Sequence, residues 1–237
     1  MRAVGVARLD GDCVDYIFQF GFVWREFDQL LLGAWLTVRL SVLAMIFGLA
    51  VGILGAQAKQ SRWGILRVAT QVYIEAIRNT PFLVQLLLIY LGFPSLGIRL
   101  DPNQAALLAI VVNLGAYATE IVRAGIEAVP RTQIEAGRAL GLRPWQNLRL
   151  VILIPALHAI FPALASQFIM IMLASSVVSV ISAEELTAVT DTIVARNFRS
   201  FEFYLTIVGI YLALSLGFQA AFALIDRLLF QRWSRYT

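Results

Sequence analysis

The sequence predicts an all-α membrane protein with five transmembrane helices and a helix-turn-helix loop in the cytoplasm. Of its 237 residues, 59% are hydrophobic and only 14% are charged, whereas about a quarter of the residues of an ordinary soluble domain are charged. A large soluble helical protein is the weaker interpretation, because a fold of this length could not bury so much apolar surface. The charges are clustered, and five uncharged windows come near or above the ~18–20 residues that a helix needs to cross a bilayer: 40–58, 79–98, 102–119, 150–183 and 203–225.

Residues 1–28 are predicted to form an N-terminal segment at the outer membrane surface. Arginines and an acidic run stand where a cleavable signal peptide would have its apolar core, so we expect no such signal. The aromatic residues that follow alternate, which favours a segment at the membrane interface, with a short strand as the alternative: Phe18, Phe20, Phe22 and Trp24. Cys13 is the only cysteine, which excludes an internal disulfide and a thiolate metal cluster.

The transmembrane domain is predicted over residues 29–230, followed by a cytoplasmic tail at 231–237. Gly48, Gly52 and Gly55 of the first span recur on one helical face, and small residues let helices approach closely in lipid. The fourth window is long enough to hold a span and a further segment that does not cross. Prolines within the windows favour kinks: Pro81, Pro94, Pro155 and Pro162.

The distribution of basic residues predicts the orientation. With five spans the termini lie on opposite sides, and a cytoplasmic C-terminus places twelve of the 19 lysines and arginines inside and six outside, with Arg39 in or beside the first span. This asymmetry follows the positive-inside rule, so we expect the N-terminus to lie outside a bacterial inner membrane. It also accounts for the net charge of +4 without nucleic-acid binding.

The loop at about 130–150 carries the most informative local signals. Thr132 and Glu135 have the spacing of a capping box, which predicts a short helix that ends at Gly141, a residue suited to the left-handed conformation. Pro144 suits the first turn of a second helix, which carries Trp145. We favour a helical hairpin that offers apolar groups and arginines to a partner, and an amphipathic hairpin on the membrane surface is the alternative.

A resemblance to a known family rests on this loop. Seven consecutive residues resemble the E-A-A-x3-G motif of permease subunits of binding-protein-dependent ABC importers: Glu135, Ala136, Gly137, Arg138, Ala139, Leu140 and Gly141. Three further segments resemble the polar amino-acid branch of that family, the histidine, glutamine and glutamate type: 35–41, 75–85 and 116–126. Together the resemblance covers residues 33–229.

The resemblance implies a type I importer fold in which this chain is half of a permease dimer. Its partners would be an ABC ATPase subunit, a second permease subunit that is identical or homologous, an extracytoplasmic solute-binding protein, the transported amino acid and membrane lipid. The seven loop residues would form a coupling helix that contacts the ATPase. The sequence has no phosphate-binding loop, so ATP and Mg would bind the partner ATPase. We expect no catalytic, cofactor-binding or metal-binding residue in this chain.

Three residues depart from the family pattern. Gly137 stands where alanine is usual, Pro155 comes one residue later than the pattern places it, and Ala174 replaces the usual aspartate of the fourth span. The late proline predicts a different angle of exit from the loop into the fourth span. The missing aspartate predicts discrimination against cationic amino acids, since a buried cation without a partner costs several kcal/mol.

Uncharged polar residues in the third and fourth spans are the candidates for the transport path: Asn113, Tyr117, Gln167, Ser175, Ser176 and Ser179. Hydrogen bonding between neighbouring spans is the alternative role for these residues. The alternative function is a secondary transporter or channel driven by an ion gradient. Such proteins keep ionisable residues inside the bilayer, whereas the five windows contain no carboxylate.

Overall fold

The computed structural model describes residues 18–230, and this part of the chain is built from helices without a strand. Cys13, most of the predicted N-terminal segment and the tail at 231–237 lie outside the described residues. Ten α-helices follow one another between residues 18 and 230: α1 Gly21–Arg25, α2 Phe27–Lys59, α3 Gly64–Arg78, α4 Phe82–Gly92, α5 Pro102–Glu127, α6 Arg131–Ala139, α7 Pro144–Asn147, α8 Leu153–Ala174, α9 Leu186–Asn197 and α10 Ser200–Phe230.

The aromatic segment before the first span forms a turn and a short helix from residue 18 onward, so the strand alternative is wrong. Phe22 and Trp24 lie on α1. The segment is attached to the start of α10, where the rings of Phe18 and Phe201 are 5.4 Å apart and the backbone N–H of Gln19 donates to the carboxylate of Glu202 at 3.0 Å.

Four helical segments between residues 18 and 230 are long and apolar enough to cross a membrane: Phe27–Lys59, Pro102–Glu127, Pro144–Ile181 and Ser200–Leu228. The second predicted span is not a straight helix. Its window, 79–98, begins just after α3 and falls on α4 and the 3-10 turn that follows it. The segment Phe82–Leu96 meets α3 at an angle of 109°, and the two make a fifth crossing only if the bent pair is one span.

The break between α3 and α4 is caused by Pro81 and stabilised by the side chain of Gln85. Pro81 precedes α4, and the residue before a proline is disfavoured in the helical conformation. The Gln85 side chain then donates from its amide nitrogen to the carbonyls of Ile77 at 2.7 Å and Thr80 at 3.0 Å. A broken helix is tolerated at membrane depth when such groups satisfy the freed carbonyls.

The small face of α2 packs against α5, as the glycine spacing predicts. A side chain added at Gly48 would overlap Leu114, and the faces of Gly52 and Gly55 are closed by Ala118 and Thr119. At the end of this contact Lys59 pairs with Glu120, which also pairs with Arg123 at 2.9 Å. Lys59, which the charge distribution assigned to the cytoplasmic side, therefore forms an ion pair between the first and third spans.

The fourth window holds a long helix followed by a tighter segment. The chain is helical from Pro144 to Ile181, with a π-helical turn at Leu148–Ile152 and a 3-10 helix at Ser175–Ile181. A π turn contains more residues than an α turn, so it accommodates the extra residue before Pro155. After this segment α9 packs on α2, where the N–H of Leu186 donates to the Thr37 hydroxyl at 3.0 Å.

Candidate coupling hairpin and polar cavity

The hairpin begins differently from the prediction. Pro130, not Thr132, is the residue before the first turn of α6, and no side chain caps this end. The Pro130 backbone is extended and its carbonyl accepts from Gln133 N at 3.0 Å. The predicted capping box of Thr132 and Glu135 is therefore wrong, because the proline starts the helix early enough to place Thr132 inside its first turn.

The end of α6 confirms the prediction at Gly141. Gly141 has φ +75°, the left-handed conformation that glycine adopts most readily. Its N–H donates to the Arg138 carbonyl at 2.9 Å, and the N–H of Leu142 donates to the Gly137 carbonyl at 3.1 Å. This pair of bonds is a Schellman motif, so the short helix has a defined end.

Asn147 ties α6 to the start of the fourth span, and sequence reasoning did not single it out. Its side chain is 3% exposed, and its amide nitrogen donates to the carbonyl of Ile134 at 3.0 Å. A Cβ at position 137 would lie 2.9 Å from Asn147 Cγ and closer still to Asn147 Oδ1. Gly137 thus replaces the usual alanine because the Asn147 side chain fills the space that a methyl group would need.

The predicted coupling residues present one face of α6 to solvent. Glu135, Ala136, Arg138 and Ala139 are exposed, whereas Gly137 is buried against Asn147. Beyond α6 the large apolar side chains of Leu140 and Trp145 are 80% and 68% exposed. An exposed apolar patch with arginines beside it is typical of a surface that binds another protein.

A second candidate site is a polar cavity of about 380 Å³ beside the break between α3 and α4. It is lined by residues of α3, the break and α5: Gln71, Ile74, Glu75, Arg78, Asn79, Tyr117 and Glu120. The Arg78 guanidinium lies 5.4 Å from the centre of the Tyr117 ring, a cation–π distance. Gln71 donates to the Glu75 carboxylate, and the Tyr73 hydroxyl fixes α3 to α5 by donating to the Val112 carbonyl at 2.6 Å.

The predicted path residues divide into two groups. Asn113 is buried and its amide donates to the Gln85 side-chain oxygen at 2.9 Å, so it supports the break between α3 and α4. Tyr117 lines the cavity beside this break. The bond from Asn113 to Gln85 also fulfils the alternative role, because it joins α5 to α4. Gln167 is half-buried on α8.

The serines bond within their own helical segment. Ser175, Ser176 and Ser179 donate to carbonyls three residues earlier, at 2.6, 2.9 and 2.8 Å. Ser175 is buried, whereas Ser179 lines a different cavity of about 760 Å³ between α2 and α9. These bonds lie within one helical segment, so they do not join neighbouring spans, which was the alternative role of the serines.

Carboxylates line the cavity, although the fourth span has none. Glu75 and Glu120 lie on its wall and escaped the sequence argument because they stand outside the uncharged windows. The inference from Ala174 to discrimination against cations therefore does not extend to this cavity. Among residues 18–230, no group of histidine, cysteine and acidic side chains could hold a metal ion.

Comparison with known proteins identifies the family. The family described as the binding-protein-dependent transport system inner membrane component matches residues 40–231. The chain belongs to this family. It is thus the permease component of an ABC importer, and the ion-gradient alternative is wrong.

Two curated relatives illustrate the similarity. The glutamine transport system permease protein of Escherichia coli strain K12 is 36% identical over 201 residues, which cover 84% of this chain and 92% of that protein. The L-cystine transport system permease protein of Bacillus subtilis strain 168 is 40% identical over 165 residues, 70% of each chain.

Solved structures share the fold. The crystal structure of an amino acid ABC transporter with histidines matches with a TM-score of 0.84 and 36% identity, covering 90% of this chain and all of the other. The inward-facing MetNI methionine ABC transporter matches with a TM-score of 0.71 at 21% identity, over 90% of this chain and 99% of the other, which is similarity of fold alone. The type I importer architecture predicted from the sequence is confirmed.

Proposed function

We propose that this permease imports polar amino acids across a bacterial inner membrane, using ATP hydrolysis on a separate ATPase subunit. The observation that carries the proposal is the rigid hairpin joined to the fourth span of a chain whose relatives include glutamine and cystine permeases. A solute-binding protein delivers the amino acid from outside, and a second permease subunit, identical or homologous, completes the pathway.

The hairpin transmits movement because α6 has a defined end and is bonded to the helical segment that leads into the fourth span. The Schellman motif fixes the C-terminal end of α6, and the Asn147 amide of α7 donates to the Ile134 carbonyl of α6. From Pro144 the helix continues through the π turn into the fourth span. An ATPase that displaces the exposed face of α6 therefore moves α8 with it, as in rigid-element switches that bias two packed arrangements.

The polar cavity is the part of this subunit that we assign to the solute path. Arg78 offers a guanidinium that matches a carboxylate, and Glu75 offers a carboxylate that matches an ammonium group. A zwitterionic amino acid carries both partners. Asn113 holds the break in shape through Gln85, while Tyr117 positions the arginine.

The test is uptake by the complete importer, reconstituted in liposomes with its ATPase and binding protein. We expect labelled glutamine, glutamate or cystine to enter only with ATP and binding protein present. Arg78→Gln should lower uptake at least tenfold, the factor that corresponds to about 1.4 kcal/mol, while Arg62→Gln, an exposed arginine outside the cavity, should not. Uptake that persists without the ATPase would contradict the proposal.

A further inference from the structure

An apolar groove of about 700 Å³ runs along the bundle between α2, α5 and α8. Its walls include Ile53 and Leu157, each 42% exposed, and Leu153, 44% exposed. Large apolar side chains in a concave groove bind an apolar ligand well, so hydrocarbon rather than water is the natural content of this space.

The end of the groove nearest the hairpin is polar and positive. Gln57, Gln60, Trp145 and Arg149 lie there, and Arg149 is the one charged residue of the lining. Arg149 is exposed and forms no ion pair within residues 18–230. The groove therefore offers a cation and a tryptophan at one end and hydrocarbon-like walls along the rest.

The dimensions match those of one membrane leaflet. From Leu153 to Leu164 the helix rises about 16 Å at ~1.5 Å per residue, and half of the ~30 Å hydrocarbon core is about 15 Å. Arg149 lies a further ~6 Å along the helix, at the level where headgroups begin.

We propose that this groove binds an anionic phospholipid, with an acyl chain along the apolar wall and the phosphate at Arg149. The unpaired arginine and the absence of acidic residues from the lining favour a lipid of net negative charge over a zwitterionic one. The bound lipid fills the side of the π turn at Leu148–Ile152, so it supports the junction through which the hairpin moves the fourth span. The proposal does not depend on which solute is carried.

Native mass spectrometry of the complete complex tests the headgroup. The complex is titrated with phosphatidylglycerol and phosphatidylcholine that carry the same dioleoyl chains, without nucleotide or solute. We expect preferential retention of phosphatidylglycerol, and Arg149→Gln should reduce that preference about fivefold, the effect of one basic contact with an anionic surface. Arg62→Gln also removes one positive charge, just after the end of α2 and outside the groove. It should leave the preference unchanged.

A second variant tests the groove itself. Ile53→Trp fills the apolar groove without changing the charge and should reduce retention of both lipids. Leu212 of α10 is 58% exposed outside the groove, and Leu212→Trp should not reduce retention. Equal retention of the two lipids by the wild type, or an unchanged preference in Arg149→Gln, would overturn the proposal. Disulfide cross-linking between a cysteine introduced at Leu157 and one introduced in the second permease subunit would also overturn the proposal, since that subunit would then cover the groove. Failure here leaves the proposed transport function intact, because uptake is not the readout.

Discussion

Gly137 and Asn147 fit together so closely that each constrains the other. The Asn147 amide nitrogen has a partner in the Ile134 carbonyl, whereas its Oδ1 is buried without a hydrogen bond among the described residues. A buried oxygen of this kind costs free energy. The buried Oδ1 of Asn147 therefore lowers the stability of the fold, whereas the amide nitrogen of the same side chain joins the hairpin to the fourth span.

We predict that Gly137→Ala and Asn147→Ala each damage coupling and that the double variant is less damaged than their sum. The alanine at 137 overlaps Asn147, at a cost of about 1–3 kcal/mol for overpacking, but gains room once Asn147 is truncated. Thermal unfolding and solute-stimulated ATP hydrolysis of the complex would be measured for all four proteins. An interaction of about 0.5–3 kcal/mol is expected for residues in contact, and strictly additive effects would argue against the fit.

Glu185 is a buried acid at the start of α9. Its carboxylate accepts from the Ala188 N–H at 2.7 Å and from the Tyr211 hydroxyl at 2.6 Å. Burial nevertheless raises the pKa of Glu185 above the ordinary value of 4.5, and the hydrogen bonds only oppose that rise. Folding therefore shifts the Glu185 carboxyl toward its protonated form relative to the unfolded chain.

The sign of the pKa shift predicts how stability depends on pH. A carboxyl with a raised pKa contributes stability that is present below 4.5 and is lost as the pH rises through the folded-state pKa. Glu185→Gln cannot ionise, so its melting temperature should gain on that of the wild type as the pH rises from 4.5 to neutral. The exposed neighbour variant Glu184→Gln should show no such trend, and a wild-type advantage that grows with pH would contradict the assignment.

The α6 helix and its turn act as one element whose shape depends on Gly141. Because its φ is +75°, a β-branched side chain there strains the backbone by at least ~1–2 kcal/mol. We predict that Gly141→Val lowers transport and solute-stimulated ATP hydrolysis together while the spans still insert into the membrane.

Gly97 supplies a matched control for this prediction. It has φ +81° and, like Gly141, has open space where a Cβ would lie, but it follows the end of α4. Gly97→Val introduces the same kind of strain away from the hairpin and should leave ATPase stimulation near the wild-type level. Normal stimulation in correctly inserted Gly141→Val would show that the hairpin is not the transmission element.

The distribution of basic residues predicts the orientation of the whole molecule, and labelling would test that prediction. In a Cys13→Ser background, single cysteines at Asp10 and Asp191 should react with an impermeant reagent from outside, and those at Arg143 and Arg235 only after the cytoplasmic side is opened. Asp191 is exposed on α9, whereas its neighbour Glu185 is fully buried and would label poorly. Outside labelling at Arg143 would reverse the orientation and remove the hairpin from the ATPase side.

The sequence by itself determined the properties that depend on neighbours along the chain. Uncharged windows predicted the membrane-spanning class, because each span must satisfy its own backbone in lipid. The glycine spacing on α2 predicted its close face, and Gly141 predicted the end of α6, since both depend on the local geometry of one helix. The loop motif identified the family.

Only the tertiary structure decided the features that join distant parts of the chain. The bend at Pro81 is stabilised by Gln85 of α4, whose side chain is held by Asn113 of α5. Glu120 lies on the cavity wall while paired with Lys59 from the first span. The role of Asn147 depends on its contact with Gly137 of α6, which only the folded chain shows. Burial and hydrogen-bond partners are set by which helices meet, and hydropathy along one helix carries no record of that meeting.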